Sequence, residues 1–167
     1  TDIGLSEKGR EEARRAAHAI KGIDFQIAFT SVLKRAKQTL EEIKKVLGIK
    51  IPTKENAALN ERDYGDYTGK NKWDIRKQVG EEEFLKIRRG WDVPIPGGES
   101  LKDVYNRVIP FYQEHILPEL KNGKNVLVSA HGNSLRALAK FLENISDENI
   151  SNLELATGEI YIYEMDT

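Results

Sequence analysis

Val126-Leu127-Val128-Ser129-Ala130-His131-Gly132-Asn133-Ser134-Leu135-Arg136 decides how the chain reads. The run Val126–Ala130 is too short for a core helix and too apolar for a solvated strand, so it predicts a buried strand. His131 and Gly132 end the run, and apolar residues then return at helical spacing over 134–144. The same alternation lies upstream. Phe25–Phe29 predicts another buried strand, and 31–47 a helix with Ala36, Leu40, Ile43 and Leu47 on one face and Gly48 as its stop. Residues 6–21 predict a helix capped by Ser6, stopped by Gly22 and apolar along Ala13, Ala16, Ala17 and Ile20. Residues 100–121 predict another, capped by Ser100, with Leu101, Val104, Val108, Phe111 and Leu120 inward. Pro110 and Pro118 lie inside that stretch and predict kinks or breaks. Ile160–Met165 is a third strand candidate, placed at a sheet edge. Strands alternating with helices predict a doubly wound α/β sheet.

Composition narrows the function. With 167 residues the chain is long enough to bury one core. Hydrophobic residues make up 39% and charged residues 32%, which is a globular rather than a disordered composition. No apolar run approaches the roughly 18 residues of a membrane span. The absence of cysteine excludes disulfides, thiol nucleophiles and thiolate metal sites. A net charge of −1 argues against a global nucleic-acid or membrane footprint, while leaving room for a local cationic pocket. No G-x-G-x-x-G, G-x-x-x-x-G-K-[ST] or H-E-x-x-H occurs, so dinucleotide, P-loop and zinc-protease readings lack their fingerprints. A resident metal is not expected.

In an open α/β sheet, ligands gather beyond the carboxyl ends of the strands. Three polar clusters fall there. Thr30–Thr39 places Arg35 in a first helical turn, where free backbone N–H groups favour anions, though a lone arginine in that position is more often a surface residue. Leu59–Gly65 sets Glu61 beside Arg62, Asp63 and Tyr64, which reads either as a surface charge pair or as a carboxylate acid/base next to a phosphate-binding arginine. Ser129–Arg136 sets His131 and Gly132 at the end of an apolar strand, where histidine can donate to an anion and glycine admits close approach. His18 and His115 sit in predicted helices without such company. Asn60 to Gly98 is weakly periodic, with helical turns expected at 72–79 and 81–89; a stretch of that length reads as a lid or functional insertion.

Seven segments in order sharpen the picture. They are L-S-E-K-G-R-E-E-A at 5–13, T-S-V-L-K-R-A-K-Q-T at 30–39, L-N-E-R-D-Y-G at 59–65, G-K-N-K at 69–72, R-R-G at 88–90, P-G-G-E-S at 96–100 and A-H-G-N-S-L-R at 130–136. Together they resemble the histidine phosphatase superfamily, and within it the 2,3-bisphosphoglycerate-dependent phosphoglycerate mutases. The resemblance implies a three-layer α/β/α fold with a mostly parallel sheet, one domain over 1–167 and a lid or substrate insertion at about 60–98. It implies a glycolytic isomerase of the cytoplasm that interconverts 2- and 3-phosphoglycerate through a phosphohistidine, with 2,3-bisphosphoglycerate as phosphoryl donor and no metal. The partner is a small anionic substrate; no nucleic acid or membrane is expected, and a homo-oligomer is left open.

Residue by residue, Arg35 matches a phosphate-binding arginine, His131 the second catalytic histidine, and Glu61 the acid/base serving the substrate hydroxyl. Arg62, Asp63, Tyr64, Lys72, Arg88 and Arg89 match the residues that hold the phosphate and carboxylate of a three-carbon acid, and Gly132 and Asn133 the remaining pocket contacts. The family's R-H-G, whose histidine carries the phosphoryl group, is not present in these 167 residues. The expectation is that an N-terminal strand and loop bearing it belong ahead of Thr1, and that these 167 residues are inactive alone. Two alternatives remain: a phosphatase on the same scaffold, in which water accepts the phosphoryl group, and a non-catalytic anion-binding domain lacking the nucleophile.

Overall fold

The computed structural model describes residues 2–166. Its sheet holds three parallel strands, β1 (Ile27–Thr30), β2 (Thr53–Glu55) and β3 (Val126–Ser129), in the order β2-β1-β3. Thr30 aligns with Glu55 on one side and with Ser129 on the other, so the carboxyl ends of all three strands open on the same edge. Central β1 is buried throughout, as its apolar run requires.

Helices cover both faces. Helix α1 (Glu7–Ala19) and α2 (Lys34–Leu47) pack on one, through Ala13, Ala17, Ile20 and Ile43 against Leu127 of β3. On the other lie α5 (Leu101–Phe111) and α7 (Gly132–Leu142), where Val104, Val108, Phe111, Ala137 and Leu138 meet Ile27, Phe29, Val126 and Val128. The alternation of Ile27 and Phe29 to one face and Leu127 to the other is the strand period of two dividing one sheet between two cores. This is the three-layer arrangement expected.

The boundaries carry physical reasons. Ser6 caps α1 by accepting the Gly9 N–H at 3.1 Å, and Gly48 ends α2 in the left-handed region at φ 65°. The helix expected over 31–47 starts only at Lys34, because the Ser31 hydroxyl takes the Leu33 N–H at 3.2 Å and holds 31–33 in a turn. The helix expected over 100–121 is divided. Pro110 is absorbed inside α5, but a π-helical turn at Tyr112–Ile116 precedes α6 (Leu117–Lys121), which carries Pro118 in its first turn. Proline has no N–H to give and clashes with the carbonyl four residues back, so the widened turn falls just before it. The strand expected at Ile160–Met165 is not formed. That segment pairs with no strand, and Ile162 is 62% exposed. No neighbouring strand offers it a ladder among the described residues, and an extended segment without one gains no backbone hydrogen bonds.

The 60–98 stretch folds as two short helices, α3 (Lys72–Val79) and α4 (Glu81–Arg89), joined at Gly80. Its base is pinned where Gly65 meets Pro96–Gly98. Gly65 has φ 51°, and a Cβ there would lie 2.3 Å from the Pro96 carbonyl oxygen, so only glycine fits. Arg62 completes the fastening: its buried guanidinium donates to the carbonyls of Glu99 (2.5 Å), Ile87 (2.7 Å) and Val93 (3.4 Å).

Candidate active site

Beyond the strand ends, three segments converge. Ser31 follows β1, His131 follows β3 and opens α7, and the 59–65 loop crosses above them. The β1–β3 register puts Thr30 opposite Ser129, so Ser31 and His131 leave the sheet as neighbours. The Ser31 hydroxyl meets His131 Nε2 at 2.7 Å in a buried contact. Burial, with the charges of Arg35 and Arg107 added, pushes His131 down to about 4, so the ring is neutral near pH 7.

Glu61 sits on the amino end of α7. Its Oε1 accepts the Asn133 N–H at 3.2 Å and the Arg62 N–H at 2.8 Å. The Asn133 N–H has no partner within its own helix, so a carboxylate is the natural cap. Gly132 lies directly beneath this carboxylate; a Cβ on it would stand at an ordinary contact distance, 3.9 Å, from Glu61 Oε2. The Asn133 side-chain amide donates to the Tyr64 hydroxyl at 2.9 Å. Burial first, and then the Glu61 charge, raise the Tyr64 phenol, which keeps its proton to offer to a ligand.

Thus Glu61, Tyr64, His131, Gly132 and Asn133 form one cluster. The remaining expected residues stand around it. Arg35 lies exposed in the first turn of α2, with no ion pair or hydrogen bond to its guanidinium among the described residues. Arg62 touches the cluster through its backbone N–H and through its guanidinium, which lies over the Tyr64 ring at 5.5 Å, while its side-chain donors are spent on the carbonyls at the base of the lid. The Asp63 carboxylate is taken up by the Gly65 N–H at 2.8 Å. Lys72 is exposed at the start of α3, and Arg88 is exposed on a groove of about 450 Å³ shared with Glu154 to Thr157 and Glu159. Arg89 is paired with Glu154, and its buried Nε has no partner.

Four residues outside the sequence expectation hold this geometry. Ser31 fixes His131. Arg136, buried, joins Asn133 Oδ1 (3.2 Å) to the carbonyls of Arg89 (3.0 Å) and Ile150 (2.8 Å), so it ties α7 to the end of the lid. Arg107 on α5 grips the 58–61 backbone together with Glu99. Burial alone would raise the Glu99 carboxyl, but the Arg107 hydrogen bonds and the Asp63 N–H hold it below its ordinary range. One signal was available: Arg107 falls between Val104 and Phe111, on the inward stripe of its helix. Among the described residues, no three metal-ligating side chains of the Asp, Glu, His or Cys type gather. No helix among them is long and apolar enough to cross a membrane.

The family model described as "Histidine phosphatase superfamily (branch 1)" matches residues 1–167. A 2,3-bisphosphoglycerate-dependent phosphoglycerate mutase from Bradyrhizobium diazoefficiens is 54% identical over 98% of this chain and 81% of its own length. Its namesake from Cytophaga hutchinsonii is 50% identical over 98% of this chain and 77% of its own. Among solved structures, mycobacterial glucosyl-3-phosphoglycerate phosphatase superposes with a TM-score of 0.77 at 27% identity, covering 91% of this chain and 73% of that one.

Proposed function

The chain belongs to the histidine phosphatase superfamily, and from that premise we propose that it is a 2,3-bisphosphoglycerate-dependent phosphoglycerate mutase that interconverts 2- and 3-phosphoglycerate. The observation that carries the reading is the 54% identity to a mutase across 81% of that protein's length, spanning lid and site alike. The geometry supports it. A mutase must remove a proton from one hydroxyl and return it to another, and Glu61 stands where the strands and the amino end of α7 meet, held by two N–H groups.

The phosphoryl group travels on a histidine that the resemblance assigns to an R-H-G motif, not to His18, His115 or His131. In the forward half, the P–N bond breaks as the P–O bond to the substrate hydroxyl forms, and Glu61 takes the hydroxyl proton. In the second half, the other phosphate returns to the histidine, and Glu61 gives the proton to the oxygen left behind. 2,3-Bisphosphoglycerate is both the intermediate and the primer that charges the enzyme. His131 donates to the transferring group, and an incoming dianion favours its charged form against the burial that keeps it neutral in the free site. Arg35, Tyr64, Asn133 and the amino end of α7 complete the phosphate cradle, with Lys72, Arg88 and Arg89 closing from the lid. Gly132 opens α7 beneath Glu61, and Arg62 and Asp63 set the base of that lid. These residues belong to one domain that works in the cytoplasm, where this substrate is met.

A phosphatase is the second reading, favoured by the likeness to mycobacterial glucosyl-3-phosphoglycerate phosphatase. Dependence on primer separates the two. Protein purified from its native gene should convert 3-phosphoglycerate to 2-phosphoglycerate only when traces of 2,3-bisphosphoglycerate are supplied or already bound. Turnover that is indifferent to the primer, after prior dephosphorylation, would overturn the mutase reading.

A further inference from the structure

Glu61 hangs from a loop, and a loop by itself does not hold a carboxylate to the few tenths of an ångström that proton transfer requires. The backbone on either side of it is nevertheless gripped. Arg107 Nη1 donates to the Ala58 carbonyl at 2.5 Å, and Nη2 donates to the carbonyls of Asn60 (3.0 Å) and Glu61 itself (3.2 Å). The same guanidinium binds Glu99 in a fork, Nε to Oε1 at 2.8 Å and Nη2 to Oε2 at 3.0 Å. Glu99 Oε2 also accepts the Asp63 N–H at 2.9 Å. One planar cation and its partner thus fix three carbonyls before and at Glu61 and one amide two residues after it. Arg107 is itself rooted in α5, whose Val104 and Val108 are wholly buried in the core.

We propose that Arg107, with Glu99 as its partner, is a positioning residue for Glu61: it sets the carboxylate against the amino end of α7 without touching substrate. The proposal deepens the mutase reading and rests on it for the role of Glu61, though not for the geometry. Only arginine presents a planar set of donors that reaches three carbonyls and both carboxylate oxygens, with one Nη2 hydrogen shared between neighbouring acceptors; lysine keeps the charge and loses the fork. A role confined to stability would require only that the loop be held on average. Positioning requires that the Glu61–Asn133 contact itself depend on Arg107.

That contact can be read without turnover. The Asn133 N–H lies in the first turn of α7, where no carbonyl of its own helix can reach it, so its exchange protection comes from Glu61. In Arg107→Lys, hydrogen exchange followed by NMR should show Asn133 losing about tenfold in protection, the worth of one hydrogen bond, while Phe29 and Ala137 keep theirs. In the intact enzyme, kcat should fall on the order of 10- to 100-fold, as expected for a displaced acid/base, with KM within about twofold of wild type, since a group that only orients another contributes little to uniform binding. Glu99→Gln should move both readings in the same direction and less far. Protection of Asn133 that is unchanged, or lost in step with Phe29, would overturn the proposal. So would a raised KM at unchanged kcat. Should the wild-type enzyme prove not to be a mutase, the function reading falls, while the Asn133 amide still decides the positioning.

Discussion

Lowering the pH should destabilise the protein through His131, by an amount the structure sets. The ring is 8% exposed, bonded to Ser31 and close to two guanidiniums, and its pKa stands at about 4 against 6.5 for an unburied histidine. The folded state therefore prefers the neutral ring, and between these two values the unfolded chain binds more protons. Above pH 6.5 the residue contributes no pH dependence. As pH falls below 6.5, stability is lost, and the loss is complete below about 4. A difference of 2.5 pKa units corresponds to about 3 kcal/mol, of which roughly 2 kcal/mol should be gone by pH 5. Glu99, held below its ordinary range, loses stability in the same direction at lower pH. The comparison should therefore be made against His131→Asn, in which the carboxylates titrate alike and cancel. Denaturant unfolding of both proteins from pH 7.5 to 4.5 gives the difference directly. The wild type should lose about 2 kcal/mol relative to the variant between pH 7 and pH 5. A difference that stays flat within about 0.5 kcal/mol would refute the burial argument, since it would place the ring in contact with solvent.

Two substitutions test the roles assigned to side chains. Glu61→Gln in the intact enzyme keeps shape and hydrogen bonding but cannot exchange a proton, so steady-state kinetics should show kcat down by on the order of 10²–10⁴ with KM little changed; a variant keeping more than about a tenth of wild-type kcat would remove Glu61 from the chemistry. Arg89→Ala should raise the KM for phosphoglycerate while thermal unfolding stays nearly unchanged. Its ion pair with Glu154 is largely solvent-exposed, and such pairs are worth about 0–1 kcal/mol.

What the sequence made legible follows from where information is local. The strands at 25–29 and 126–130 and the caps at Ser6, Ser100 and Gly48 were readable because apolar runs and turn residues act on their neighbours. The cluster of Glu61, Tyr64, His131, Gly132 and Asn133 was readable only through motif resemblance, since no spacing rule brings residue 61 to residue 133. Two departures have plain physical causes. Ile160–Met165 offers an apolar run fit for an edge strand, but a strand exists only with a partner, and partners are a property of the whole sheet. The resemblance gives Arg62 to the substrate's phosphate and carboxylate, whereas its donors are taken by carbonyls of residues 25 to 37 positions away while its guanidinium lies over Tyr64. Ser31, Glu99 and Arg136 were missed because each does its work across such distances, through partners that sequence neighbourhood does not reveal.

The most direct measurement of what this protein does is ³¹P NMR of the natively encoded protein incubated with 3-phosphoglycerate and a trace of 2,3-bisphosphoglycerate. The 3-phosphoglycerate resonance should give way to that of 2-phosphoglycerate until the two reach equilibrium, with inorganic phosphate appearing far more slowly than the isomer. Inorganic phosphate growing in step with the loss of 3-phosphoglycerate, and no 2-phosphoglycerate resonance, would contradict a mutase and leave a phosphatase in its place.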